Sequence, residues 1–418
     1  MVRSIRDRLK SSGISNRVRN NSLKSFTPLE KIMDIEEVET PFGTHLLKKS
    51  RFPLSYRHGK FPLETVFELP QDTLVKVIKR ENFDSFNIRD FVFLDTETTG
   101  LAGGAGTVAF LIGIGYFTDK EFVVNQFFMR DFHEEPSVLY MVKDLIDRYK
   151  GIVSFNGKVF DWPLLKDRFA MHRLTLKKES FDHFDLLFAS RKLWKERLAS
   201  CCLSSIEENI LQVKRKDDIP GELISSVYFD YVRGDQAAPI KKIFQHNLED
   251  VLSLVTLTGC VGTVINNPLT HCYPEDIYCL GKLFKSTGDL DKSCECFLEA
   301  AKRAQNPVIK QKSLKELSFL LKQKGEYDRA VDIWRWMISR NTMKLFPYIE
   351  WAKHLEHREK NYTKAIKVVK RAIEIAHKRR RVFGNIKNNT KVLQELRHRL
   401  ERLERKLARV REFGNNTG

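Results

Sequence analysis

Residues 91–110 read FVFLDTETTGLAGGAGTVAF, and the reading of this stretch decides the fold. Phe91 to Leu94 form an apolar run suited to the middle of a sheet, yet the run ends in Asp95 and Glu97. Alternate side chains of a strand share a face, so these two carboxylates stand side by side where repulsion and desolvation both oppose them. Either Asp-Thr-Glu-Thr-Thr-Gly is a solvated turn, or a positive charge belongs between the two acids.

Working outward, DFVFLDTE, TVAFLIGIGYF and EFVVNQFFM are three consecutive strand signals, joined by GLAGGAG and the turn TDK, which predicts an antiparallel meander. The pattern then alternates. A helix is expected in PSVLYMVKDLIDRYK, a strand in GIVSFN, a helix in VFDWPLLKDRFAMHR, a strand in HFDLLFAS, and helices onward through PIKKIFQHNLEDVLSLVTLTGCVG. Three antiparallel strands followed by alternating α and β give an α/β domain over 91–268, a mixed sheet flanked by helices, in the order used by ribonuclease-H-like folds. Residues 26–90 carry Pro and aromatic positions without a clear period and read as an extended segment packed on that domain, behind a basic N-terminal arm at 1–25.

If Asp95 and Glu97 bind cations, later elements must bring further carboxylates to them. Asp161 follows the strand that is expected to end near Asn156 and lies close to the start of the next helix. His246 and Asp250, in FQHNLEDVLSL, are four residues apart and share one helical face, while Phe244, Leu248, Val251, Leu252 and Leu254 would anchor that helix to the sheet. Such a set of oxygens suits a pair of hard divalent ions. One ion would activate a water and the other stabilise a leaving oxygen, with His246 as general base. Taken singly, each residue also has a plain reading: Asp161 as a favourable charge at a helix N-terminus, Asp250 as helix surface, His246 as a hydrogen-bonded core residue.

From about residue 272 the chain reads as all helical and repeats. GDLDKSCECFLEAAKRA, GEYDRAVDIWRWMISRN and KNYTKAIKVVKRAIEIA align Leu290 with Tyr327 and Tyr362, and Ser293 with Ala330 and Ala365, at spacings of about 37 and 35 residues. This period, with a small residue where two helices would cross and Gly288 and Gly325 at the turns, is similar to tetratricopeptide repeats over 272–380; a plain helical bundle is the alternative. Leu393, Leu396, Leu400, Leu403, Leu407 and Val410 step by three and four, a short seam that reads as a basic capping helix and tail over 381–418, with coiled-coil dimerisation as the alternative.

FLDTETTGL, SFNGKVFDWPLL and HNLEDVLSL resemble the three motifs of the DnaQ-like DEDD exonucleases, and DTETTGLAGGAGT, HFDLLFASRKLW and IPGELI are similar to the YprB family, which joins such a domain to tetratricopeptide repeats. The resemblance covers about 90–265 by motif and extends through the repeats by architecture. It implies a ribonuclease-H-like 3′–5′ exonuclease using two Mg or Mn ions, with Asp95, Glu97, Asp161 and Asp250 as metal-binding acids and His246 as the base. The chain departs from the wider superfamily at one point: its histidine stands four positions before the last Asp, the spacing of the tyrosine branch. The resemblance further implies DNA as substrate in a bacterial repair setting, beside a helicase that the repeats could recruit. An exoribonuclease with the same site, and a non-catalytic adaptor on a decayed nuclease fold, are the alternatives.

Lesser candidates surround the motifs. Asp185 is expected at a strand edge near the site. Leu101, Phe160 and Trp162 could stack terminal bases or serve as core, and Asn156 could orient Asp161 or finish its strand. Gly103, Gly104 and Gly106 could cradle phosphate but read better as a tight turn.

The net charge of +18 is concentrated at the ends: about +6 in residues 1–25 and about +13 in 358–418, leaving a near-neutral middle. Such ends attract phosphate backbones. The seven cysteines include no Cys-x-x-Cys pair and read as small buried thiols of a reducing cytoplasm. No uninterrupted apolar run reaches the roughly 20 residues of a membrane helix, and no membrane partner is expected.

Overall fold

The computed structural model describes residues 28–68, 87–100, 106–178, 181–270, 273–340, 343–383 and 387–415. The N-terminal arm, Leu101, Gly103, Gly104 and Cys272 lie outside the described residues. Two compact units divide the chain: residues 1–189 with 201–263, and residues 190–200 with 264–418.

The first unit is built on a sheet of seven strands in the order β1-β2-β7-β6-β5-β8-β9. These are β1 (Glu36–Thr40), β2 (Gly43–Pro53), β5 (Phe91–Thr98), β6 (Ala109–Phe117), β7 (Glu121–Phe128), β8 (Gly151–Ser154) and β9 (Asp182–Asp185), with β3 (Arg57–His58) and β4 (Phe61–Pro62) forming a separate small hairpin. The meander expected from the three apolar runs is present as β5, β6 and β7, each antiparallel to the next. Strands β8 and β9 continue the sheet parallel to β5.

The segment before residue 91, which carries no period, extends this sheet on its other edge. Leu46 and Leu47 of β2 are buried, and the strand pairs with β7 from Leu46 to Pro53.

Helices α1 (Glu135–Ile146), α2 (Asp161–Met171), α3 (Leu186–Trp194), the single turn α4 (Leu203–Ile206), α5 (Gly221–Val232) and α6 (Ile240–Asn266) complete this part of the chain. Val92 and Leu94 of β5 share one core with Val138 and Val142 of α1, Leu165 and Phe169 of α2, and Tyr228 of α5. By length and composition α6 could cross a membrane, with a mean hydropathy of 1.6, but 78% of its most apolar stretch is buried in protein, as in a core helix.

One expected strand is mostly helix. In HFDLLFAS only His183 to Asp185, the end of β9, is extended, and Leu186 starts α3. The Oδ1 of Asp185 accepts the Leu187 amide at 3.0 Å, and Leu186, Ala189 and Leu193 fall on one buried face at helical spacing. Likewise β8 stops at Ser154, because Asn156 turns the chain with φ of 64°.

The second unit consists of helices packed in sequence order: α7 (Pro274–Ser286), α8 (Leu290–Arg303), α9 (Pro307–Gln323), α10 (Tyr327–Ser339), α11 (Phe346–His357), α12 (Tyr362–Phe383) and α13 (Lys387–Asn415). The aligned residues Leu290, Tyr327 and Tyr362 each open the second helix of a pair, and Ser293, Ala330 and Ala365 are fully buried. Two residues before each of these helices the backbone is left-handed, at Gly288 (84°), Gly325 (82°) and Lys360 (54°). The repeat is therefore one of backbone conformation, kept where glycine is absent. Leu393, Leu396 and Leu403 of α13 are buried in a core shared with α11 and α12, whereas Val410 is exposed.

Candidate metal centre

The acids gather where the parallel strands end. Strand β5 pairs Phe91, Val92 and Phe93 with Gly151, Ile152 and Val153 of β8, and β8 pairs with β9, so all three carboxyl ends point the same way. Asp95 and Glu97 lie at the end of β5, Asp185 ends β9, and the turn after β8 delivers Asp161 as the first residue of α2. The Thr96 hydroxyl donates to Oδ1 of Asp161.

Helix α6 supplies the remaining groups. The atoms offered by Glu97, His246 and Asp250 lie within 4.8 Å of one another, and Nε2 of His246 stands 3.6 Å from Oδ2 of Asp250. Burial, then the facing Asp250, Glu97 and Asp161, holds Asp95 well above the ordinary carboxylate range, against the pull of its bond from Asn247. Glu97 is raised well above it too, by burial and then by Asp250 and Asp161. Burial pushes Asp161 up to about 6, with Asp185 and Asp250 adding to it against the bond from Thr96. The four acids thus feel one another's charge in a poorly solvated pocket.

The fit to a cation rests on more than acid content. Glu97 is only 9% exposed, and its buried Oε1 has no hydrogen-bond partner among the described residues. A buried carboxylate oxygen left bare is costly, and a divalent ion is the partner that oxygen donors of this kind accept.

Asp185, expected near the site, is bound up in backbone. It accepts the amides of Asn156 (2.8 Å), Lys158 (3.2 Å) and Leu187 (3.0 Å), fixing the turn that leads to Asp161. Trp162 packs edge-on against Phe181, while Phe160 is 55% exposed. A cleft of about 370 Å³ opens beside Asp161, with Thr96, Asn156 and Phe160 in its wall.

Several groups here were not singled out in the sequence. Asn247 donates to Oδ2 of Asp95 at 2.8 Å and accepts from Gln126 of β7 at 2.9 Å; both amides are fully buried. Gly113, paired with Asp95 across β5 and β6, makes room, since a Cβ there would stand 2.3 Å from Oδ1 of Asn247. The signal was present: Asn247 falls on the helical face of Phe244 and Val251, a polar residue in an apolar stripe. Arg215 carried no such signal. Its guanidinium grips Glu207 and Oδ1 of Asp250, and its Nη1 lies 3.3 Å from Oδ2 of Asp218 and 3.2 Å from Nδ1 of His246.

A family model of the RNase H superfamily matches residues 92–261, the span that contains all of these acids. "Uncharacterized protein YprB" of Bacillus subtilis (strain 168) is 31% identical over 344 residues, 79% of this chain and 81% of that protein. The chain belongs to the YprB family. Its superfamily membership supports a nucleic-acid-cleaving function and a nucleic acid as substrate, and RNase-H-like nucleases use divalent metal ions.

Proposed function

We propose that the protein is a metal-dependent 3′–5′ exonuclease acting on DNA in a repair setting in the cytoplasm. The observation that carries this reading is the convergence of Asp95, Glu97, Asp161 and Asp250 from β5, α2 and α6, close enough to raise one another's proton affinity, around a Glu97 oxygen with no hydrogen-bond partner among the described residues.

Asp95, Glu97, Asp161 and Asp250 would hold two Mg or Mn ions, and His246 presents its imidazole to the same pocket. Such ions, when bound, supply a nucleophilic water at neutral pH and charge stabilisation for the leaving oxygen. The chain's own part is orientation. Asn247 fixes the Asp95 carboxylate, Thr96 fixes Asp161, and Arg215 fixes Asp250. Phe160 stands half exposed at the cleft, where a terminal base can stack on it whatever its identity.

The helix pairs of the second unit resemble tetratricopeptide repeats in period and turn conformation, and in this reading they recruit a protein partner, a helicase in the setting that the family resemblance implies. The complete set of acids speaks against a decayed fold serving only as an adaptor.

The test incubates end-labelled DNA and RNA, single and double stranded, with Mg or Mn, beside Asp95→Ala. Stepwise shortening of DNA from the 3′ end that stops in the mutant is expected. Shortening of RNA alone would make the enzyme an exoribonuclease, and no cleavage of any substrate would leave the adaptor.

A further inference from the structure

The position of His246 sets this pocket apart from an all-carboxylate site. A neutral imidazole that donates from one ring nitrogen keeps a lone pair on the other. Nδ1 of His246 lies 2.8 Å from Oδ1 of Asp218, and a carboxylate only accepts, so a neutral ring carries its proton on Nδ1 and its lone pair on Nε2. Arg215 Nη1, also near Nδ1, has Oδ2 of Asp218 as its acceptor at 3.3 Å.

Nε2 faces Oδ2 of Asp250 at 3.6 Å, too far for a hydrogen bond. The other oxygen of Asp250 is taken by Arg215. One short stretch, residues 215–218, therefore orients both partners and leaves a nitrogen lone pair, a carboxylate oxygen and Glu97 facing one another. Two donors each about 2.1 Å from one ion stand ~3 to ~4 Å apart, a range that includes the observed separation. The buried Oε1 of Glu97, unbonded among the described residues, is the independent sign that a ligand belongs there.

We propose that Nε2 of His246 is a direct metal ligand with Asp250 and Glu97, forming a mixed imidazole–carboxylate site for a divalent transition ion in preference to Mg²⁺, and that Asp218 is its positioning residue. This assigns His246 a different part from the general base expected by family resemblance, since the lone pair that binds an ion is not available to take a proton. Its place four residues before Asp250 puts it on the same face of α6, as two ligands of one ion require. The arrangement carboxylate–imidazole–metal holds the ring in one tautomer and raises its basicity as a ligand, and imidazole favours transition ions over Mg²⁺. The inference rests on reading the pocket as a divalent-ion site.

The experiment loads the full-length protein with Mn²⁺ and records pulsed electron paramagnetic resonance. Hyperfine coupling to a ¹⁴N nucleus is expected in the wild type and absent in His246→Gln that still binds Mn²⁺ through its carboxylates. Competition by Mg²⁺ should be at least tenfold weaker in the wild type than in His246→Gln. Asp218→Ala should weaken Mn²⁺ binding by about 10- to 100-fold. Asp218→Asn, which keeps a carbonyl acceptor, should recover part of that loss, as a merely space-filling role would not. Mn²⁺ bound to the wild type without nitrogen coupling overturns the assignment of His246 and leaves the metal-site reading standing. Failure of the wild type to bind Mn²⁺ removes both. Nitrogen coupling in a protein that cleaves no nucleic acid supports the assignment while refuting the exonuclease. The wild-type spectrum decides the question even if a variant fails to fold.

Discussion

At the scale of the residue, the pocket sets stability against function. Asp95 is raised well above its ordinary range and Asp161 to about 6, so without an ion the native protein holds protons that the unfolded chain has released. The stability contributed by these groups is present below the unfolded carboxylate range and is lost as pH rises through their raised folded range, which for Asp161 lies at about 6. In chelator at neutral pH, Asp95→Asn should therefore melt higher than the wild type, by about 1 kcal/mol, and gain less from added Mn²⁺, while hydrolysis falls at least ~100-fold. Thermal melts with and without chelator check the first two outcomes. Asp95 and Glu97 were legible because carboxylates at the end of an apolar strand violate local preference, and such violations mark function, whereas Asp161 and Asp250, unremarkable singly, were legible only by their order along the chain and the motifs around them. Arg215 and Asp218 were not, since a loop has no period against which a charge stands out.

At the scale of the element, β6 and α6 meet without space to spare. Gly113→Ala would place a methyl against the side-chain amide of Asn247, which then has to leave both Gln126 and Asp95. A loss of about 1–3 kcal/mol in denaturant unfolding is expected, together with weaker Mn²⁺ binding by titration, because the same amide positions the acid.

Helix α13 is fastened in a different way. Glu356 of α11 is 2% exposed and accepts from Arg399 (2.6 Å), Arg402 (2.9 Å) and Lys406 (2.9 Å). Although burial alone would raise it, the bonds from Arg402 and Lys406 bring its carboxyl down from 4.5 to about 2. The stability this gives is complete above pH 4.5 and is lost as pH falls toward 2. Glu356→Gln should cost on the order of 2 kcal/mol at neutral pH and flatten that acid limb in a comparison of melting curves.

Periodicity made the helix pairs and the meander readable. It misled at HFDLLFAS, where an apolar run of strand length is divided by the amide-binding Asp185, and it was silent before residue 91, where β2 is ordered by pairing with β7, and β1 by pairing with β2, rather than by a pattern of their own.

At the scale of the whole molecule, charge and catalysis are assigned to different stretches of chain, a division visible in the sequence because it needs only counting. Residues 358–418 carry about +13, whereas the acids of the pocket all lie between residues 95 and 250. Part of that basic segment has a second duty, because Leu393, Leu396 and Leu403 fill the core of α11–α13 and Arg399 and Arg402 bind Glu356. Removing the segment would therefore unfold neighbours as well as remove charge, and substitution on its outer face separates the two. Arg397, Arg405, Arg409 and Arg411 are exposed on α13. Changing these four to Gln should leave the melting curve and the hydrolysis of a dinucleotide unaltered. Binding to long duplex DNA should weaken, and the slope of log K against log salt should become shallower by up to ~0.9 for each phosphate contact removed. Filter binding across a salt series measures that slope. An unchanged slope with the same affinity would mean that the basic end does not hold the polymer, and that the charge serves something other than capture.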